Sequence, residues 1–301
     1  MNQDKLRGVL VASVTPMDAR GQVDEGAVGA LMDYYADSGL RGAFFPSSTG
    51  EYFALSPAQR RACVRAAARH KGGRLTLLAN VSDGCLETVL ENTRAAGDLG
   101  ADAAVLMPPQ FFTLTQDELY GFFTRAADEA PLPLVVYNHM TRLPSKIEIP
   151  LLARLKAHPN IAGIKDTHND AARLMALSTL MPGEDGFVIL TGGDGMAGFG
   201  SLYKMEMLNA LCAVRPDLFL EIYAAGRRGD LGQVARLQQR VDRLTGLFTC
   251  LKGGANSAAL FSQSVKAALA LKGLCGTRSA ITGETLDEAD LAAVRRVLDG
   301  V

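Results

Sequence analysis

Short apolar runs without polar alternation recur along the chain, separated by stretches whose apolar residues fall at helical spacing. The first four runs are Val9–Pro16, Gly42–Pro46, Leu75–Val81 and Ala103–Pro108. They are followed by Leu132–Asn138, Ile161–Thr167, Phe187–Gly192 and a weaker run, Met205–Leu211. Runs that are aliphatic at nearly every position suit strands buried on both faces of a parallel sheet. The intervening segments have readable helix starts. Asp24 can cap a helix carrying Val28, Leu31, Met32 and Tyr35, while Ser56-Pro57-Ala58-Gln59 and Thr115-Gln116-Asp117-Glu118 are capping boxes.

Eight such strand–helix units across residues 1–214, with no break in composition, predict an α/β fold: a closed (β/α)8 TIM barrel. An open doubly wound sheet is the lesser alternative, because no G-x-G-x-x-G follows the first run. Residues 215–301 supply the last barrel helix and a C-terminal helical extension in the same structural unit. Leu231, Val234, Leu237, Val241, Leu244 and Leu247 form one stripe there. Val265, Leu269 and Leu271 belong to a second segment, and the T-x-x-E box Thr285–Glu288 opens a last helix. This extension can cover the barrel or mediate oligomerisation, and the pattern does not choose between them.

Composition narrows the function classes. The 301 residues carry 31 basic and 32 acidic side chains, so no net positive charge draws the chain to nucleic acid or to an anionic membrane surface. There is no apolar run long enough to span a bilayer, and the N-terminus lacks a signal-peptide pattern. The five cysteines are widely spaced, which points to reduced, buried thiols and a cytoplasmic protein. The four histidines show no metal-binding spacing, so metal catalysis is not expected.

In a barrel of this type the site lies at the C-terminal ends of the strands. The polar residues there are Thr15, Ser47-Ser48-Thr49-Gly50-Glu51, Asn80, Tyr137-Asn138, Lys165-Asp166-Thr167 and Gly192-Gly193-Asp194. Lys165 is one of nine lysines and sits inside an apolar strand. Simple alternation puts Ile161, Gly163, Lys165 and Thr167 on one face and Ala162, Ile164 and Asp166 on the other. Burial disfavours the ammonium form and yields an amine able to attack a carbonyl, although a strand-end lysine is equally often an ion-pair partner. Tyr137 lies one β/α unit earlier, on a neighbouring strand, where a phenol can shuttle protons for such an amine; taken alone, a tyrosine is more commonly a core residue with its hydroxyl satisfied. Ser48-Thr49-Gly50 offers donors to a carboxylate but also reads as an ordinary turn. Gly192–Gly195 could cradle a phosphate or form a plain loop. Arg142 and His139 read as loop residues after strand five that can touch a substrate's distal end, although for His139 a solvated loop is the favoured role.

Together, Pro46–Glu51 (PSSTGE), Val135–Asn138 (VVYN), Gly163–Thr167 (GIKDT) and Leu190–Asp194 (LTGGD) resemble the dihydrodipicolinate synthase / N-acetylneuraminate lyase family of pyruvate-type class I aldolases, in order and spacing from Val9 to about Ala270. The resemblance implies a cofactor-free barrel, usually a homotetramer, acting on a small 2-oxo acid. Lys165 matches the Schiff-base lysine, Tyr137 the proton-shuttling tyrosine, and Ser48 and Thr49 the pair that holds the substrate carboxylate, Thr49 also relaying a proton. Thr167, Gly192, Asp194 and Asn209 match positions that contact the rest of the substrate.

Arg142 matches the arginine that dihydrodipicolinate synthases use for the second substrate's carboxylate. Those enzymes also place a tyrosine after strand four, where this chain reads Pro109-Gln110-Phe111-Phe112, and phenylalanine has no transferable proton. Sialic acid lyases carry an acidic residue where this chain has Gly195. The wording of the motifs is closer to aldolases and dehydratases of 2-keto-3-deoxy sugar acids, with retro-aldol cleavage favoured over dehydration. Dihydrodipicolinate synthase and N-acetylneuraminate lyase activities are the alternatives. Readings of another class are a non-catalytic keto-acid-binding barrel and a phosphate-binding isomerase built on Gly192–Gly195.

Overall fold

The computed structural model describes residues 3–180, 186–253 and 257–301. Eight parallel strands close a barrel in sequence order. They are β1 (Val9–Ala12), β2 (Gly42–Phe45), β3 (Thr76–Asn80) and β4 (Ala103–Leu106), then β5 (Leu134–His139), β6 (Ile161–Thr167), β7 (Val188–Thr191) and β8 (Glu206–Asn209). Each lies within or against a run expected to be a strand. The first four barrel helices are α1 (Glu25–Asp37), α2 (Pro57–His70), α3 (Leu86–Asp98) and α4 (Gln116–Glu129). The remainder are α5 (Ile149–Lys156), α6 (Ala171–Ser178), the short α7 (Ala197–Leu202) and α8 (Pro216–Arg227).

Strand alternation divides the apolar residues into two cores. Leu10, Phe44, Leu78, Val105, Val135 and Leu190 fill the lumen. Val9, Val11, Ala43, Leu77 and Ile189 instead face the helices and pack with residues such as Leu31 and Phe123. Tyr137 belongs to the lumen cluster, so the polar residues further along its face look out of the barrel at the strands' C-terminal ends.

On β6 the expected alternation fails at its start. The register runs Leu134↔Ile161 and then Val135↔Gly163, so Ala162 is an extra residue. This bulge turns Ile161 outward with Ile164, while Ala162 joins the lumen. Gly163 fits there because a Cβ would run into the Val188 carbonyl oxygen of β7.

The expected caps form at Asp24, Ser56 and Thr115. The last helix departs from expectation. Its cap is Asp287, whose carboxylate accepts from Asp290 N at 2.9 Å, and not Thr285. Aspartate caps as well as threonine does, and the chain just before it is held in a loop by Leu286 N donating to Thr277 Oγ1 at 3.1 Å.

The extension comprises α9 (Leu231–Leu244), α10 (Ala258–Ala270) and α11 (Glu288–Asp299). Val234, Leu237, Val241 and Leu244 form the buried stripe of α9, and Leu247 is buried just beyond it. Leu231, expected in that stripe, is 68% exposed at the first position of the helix. All five cysteines are free thiols, but only Cys63 and Cys212 are buried as expected; Cys85 is exposed, and Cys250 and Cys275 are partly buried.

Substituting Gly163 by valine should destabilise the fold by about 1–3 kcal/mol through overpacking against β7. Urea unfolding monitored by circular dichroism measures this, and an unchanged midpoint would contradict the close approach of the two strands.

Candidate active site

The register of β5 on β6 sets Tyr137 opposite Lys165. Both side chains are buried, and Lys165 Nζ stands 3.8 Å from the centre of the Tyr137 ring. The ring face is electron-rich, so it partly replaces the water that the cation gives up. Lys165 Nζ also donates to Thr167 Oγ1 at 3.2 Å, two residues along the same face of β6. The Tyr137 hydroxyl shares a hydrogen bond of 3.1 Å with Ser48 Oγ, from the loop after β2. Burial by itself would raise the Tyr137 pKa. The Lys165 charge and the hydroxyl partners outweigh burial and hold the phenol below its ordinary value.

These groups open into a cavity of about 850 Å³. Ser48, Thr49, Tyr137, Lys165 and Thr167 line its inner part, Gly192 and Asp194 line the β7 side, and Arg142 lies at the β5 side. Gly192 is required by close approach: a Cβ there would strike Thr167 Oγ1 and lie 3.1 Å from Lys165 Nζ. The Arg142 guanidinium is 5.6 Å from the centre of the Phe261 ring and has no ion-pair partner among the described residues. Asp194 is buried, and its carboxyl is pushed up to about 7. Burial drives this shift, opposed by Leu211 N, which donates to Oδ1 at 3.1 Å, and by the charge of Lys165.

Asn209 does not line the cavity itself; its side chain lies behind the wall, within reach of the Asp194 carboxyl. It pairs with Val11, which belongs to the helix-facing core, whereas Leu208 next to it points into the lumen. The same alternation removes Asn138 and Asp166. Both are buried outside the cavity, where Asp166 accepts from Arg173 Nε at 2.9 Å, Arg173 Nη2 at 2.7 Å and Asn138 Nδ2 at 3.2 Å. His168 Nδ1 lies 2.6 Å from the other oxygen of Asp166. Burial alone would raise this carboxyl, but His168 and Arg173 hold it below its ordinary value. Thr15 sits buried beneath Gly50, and Asn80 Oδ1 is occupied by Ser82.

His139 departs from the expected loop position. It is the last residue of β5, partly buried, and its ring lines the cavity rather than standing in a solvated loop. Asn169 also lines the cavity, and it continues the odd-numbered face of Lys165 and Thr167, a signal present in the sequence. Asp242, Thr245 and Phe261 reach the cavity from the C-terminal extension, which therefore covers the barrel mouth. Nothing local in the sequence marks them.

The extension also holds the loop that carries Ser48 and Thr49. Ser262 Oγ donates to the Thr49 carbonyl at 2.6 Å. Two residues on, Glu51 adopts φ 60° and buries its carboxylate against Lys266, which is itself fully buried. Ser279 Oγ at 2.6 Å, Ala280 N at 3.1 Å and Ile281 N at 3.4 Å also donate to that carboxylate. A buried pair so surrounded specifies one loop geometry, because losing either partner strands a charge without solvent.

The profile of the Dihydrodipicolinate synthetase family matches residues 5–281. An N-acetylneuraminate lyase of Rhizobium meliloti is 30% identical over 98% of this chain and 95% of its own length. A 4-hydroxy-tetrahydrodipicolinate synthase of Phenylobacterium zucineum is 32% identical over 96% and 95%. Among solved structures, a dihydrodipicolinate synthase from Bacteroides thetaiotaomicron superposes with a TM-score of 0.91 at 24% identity, covering 98% of this chain and 99% of that one. A prophage protein of the dihydrodipicolinic acid synthase family from E. coli K12, solved with pyruvate, gives 0.89 at 25% identity and 98% coverage of both chains.

The Asp194 carboxyl generates a pH dependence of known sign. Its folded pKa of about 7 exceeds the ordinary value of 3.8, so the folded state holds the extra proton between those values. Its contribution to stability is complete below pH 3.8 and is lost as pH rises through 7. Urea unfolding between pH 5 and 8 should show the wild type losing on the order of 1–4 kcal/mol relative to Asp194→Asn. Parallel pH curves for the two proteins would refute the assignment.

Proposed function

The chain belongs to the dihydrodipicolinate synthetase family, whose members are class I, Schiff-base-forming lyases and aldolases, and from that premise we propose that it is a lyase acting on a 2-oxo acid through Lys165. The observation that carries the reading is the Lys165–Tyr137 pair at the inner end of the cavity, with Ser48 joined to the tyrosine hydroxyl.

In this mechanism the Lys165 ammonium first gives its proton to solvent, the amine attacks the keto carbon, and the carbinolamine loses water to give an iminium. Ser48 and Thr49 hold the C1 carboxylate through their hydroxyls. The iminium withdraws electrons, so when the C4 hydroxyl loses its proton, the C3–C4 bond pair can pass to C3 as an enamine and C4 leaves as an aldehyde. Tyr137, with its lowered pKa and its place beside Lys165, accepts that proton, and Thr49 relays it onward. The enamine is then protonated at C3, and water releases pyruvate from Lys165.

The substrate class we favour is a 2-keto-3-deoxy sugar acid, cleaved rather than dehydrated. A cavity of about 850 Å³ is far larger than pyruvate needs, and Asp194, Thr167 and Asn169 beyond the lysine suit a hydroxylated tail, with Arg142 at the distal end. Dihydrodipicolinate synthesis is disfavoured by phenylalanine at 111 and 112, both exposed and without a hydroxyl. Sialic acid cleavage is disfavoured by Gly195. A phosphate-binding isomerase is opposed by the buried Asp194 carboxyl within the glycine loop, which repels an anion when ionised. We also place the enzyme in the cytoplasm as a homotetramer, on the family resemblance; light scattering that returns the mass of a monomer or dimer would remove the tetramer.

Incubation with pyruvate and borohydride should give a reduced covalent adduct, located on Lys165 by peptide mapping and absent from Lys165→Ala. If no 2-oxo acid gives an adduct, the lyase mechanism fails and a non-catalytic keto-acid-binding barrel takes its place.

A further inference from the structure

His139 has no role in the chemistry described so far, yet its position is specific. It lies two residues after Tyr137 on β5, hence on the same inward face and about 6.6 Å nearer the mouth. The two ring centres are 6.1 Å apart. The ring borders the main cavity and a second, more apolar chamber of about 370 Å³ that shares Ser48 and Arg142 with it. The Thr141 backbone N–H donates to Nδ1 at 3.3 Å, which makes Nδ1 the acceptor and leaves the proton on Nε2. Nε2 makes no hydrogen bond among the described residues.

A substrate joined to Lys165 at C2, beside Tyr137, directs C3 and C4 toward the mouth. Two carbon–carbon bonds, a carbon–oxygen bond and a hydrogen bond of about 2.9 Å together span the step from Tyr137 to His139. We propose that His139 donates its Nε2–H to the C4 oxygen, the atom that becomes the aldehyde oxygen on cleavage, and so polarises the aldehyde carbonyl for carbon–carbon bond formation. The proposal rests on the Schiff-base reading above.

In the synthetic direction the enamine C3 attacks the aldehyde carbon and forms the C3–C4 bond. The carbonyl π pair moves onto oxygen, and that oxygen takes its proton from Tyr137. His139 keeps its own proton throughout and supplies only the hydrogen bond. A neutral imidazole suits this role, because it offers a fixed donor where charge develops without first having to be discharged. The surroundings keep it neutral. Burial first, and then the charges of Lys165, Arg142, His168 and Lys146, push the imidazole down to about 3. No carboxylate among the described residues is hydrogen-bonded to the ring to oppose them.

The test separates the half-reaction that involves the aldehyde from the one that does not. Exchange of pyruvate C3 protons in D2O reports iminium and enamine formation alone, and cleavage of a 2-keto-3-deoxyhexonate reports the whole reaction. His139→Leu should lower kcat for cleavage about 100-fold, at least tenfold more than it lowers exchange, and His139→Gln, which retains a donor, should recover part of the loss. Equal losses in both assays would show a structural role and overturn the proposal, as would cleavage at the wild-type rate in His139→Leu. Absence of exchange in the wild type would instead overturn the Schiff-base reading and this inference with it.

Discussion

Side chains on neighbouring parallel strands meet only where the register pairs them, and one residue of slip turns a side chain to the opposite face. The pairing of Tyr137 with Lys165 is therefore the constraint on which the site depends. It places a cation over an aromatic ring inside an otherwise apolar lumen, and the tyrosine hydroxyl then reaches the loop after β2. The Ala162 bulge belongs to the same constraint. It resets β6 after its first residue, and from Gly163 onward the two strands run in step to Thr167. Without the bulge, Ile161 and Lys165 would share a face, and either the lysine would turn toward the helices or the isoleucine would leave the outer core.

The rest of the cavity is held from outside the barrel. Glu51 is anchored by Lys266, Ser279 and Ala280, and the Thr49 carbonyl by Ser262, so the extension fixes the two residues proposed to hold the carboxylate. The extension also supplies Asp242, Thr245 and Phe261 to the cavity wall. The barrel provides the Lys165–Tyr137 pair, and the extension covers the mouth and sets the loop.

Most of the barrel was legible because buried parallel strands have a simple signature, unbroken apolar runs such as Ile161–Thr167 bounded by helical spacing. Lys165 and Tyr137 stood out because each interrupts such a run with a group whose burial needs a reason. Legibility ended where placement depends on contacts distant in sequence or on a one-residue irregularity. A bulge such as that at Ala162 leaves no trace in an alternation pattern. Asn209 was expected at the substrate, but strand parity places it behind the cavity wall, against Asp194. His139 looked like a loop residue because β5 continues one residue beyond its apolar run. The partners of Glu51 lie more than 200 positions away, and no periodicity announces them.

That separation has a consequence for how the protein is made. On the ribosome, β2 and the Ser48–Glu51 loop emerge first, whereas Ser262, Lys266 and Ser279 are translated more than 200 residues later. Elongation at about 5–20 residues per second leaves the loop without its anchors for at least ten seconds. Until those anchors arrive the Glu51 carboxylate stays hydrated, and the nascent barrel can close its strands but cannot assemble the loop that is to grip a substrate. The loop therefore acquires its geometry long after the strands that carry it, and a product truncated before α10 would hold Lys165 in its barrel without the contacts that fix Ser48 and Thr49 opposite it.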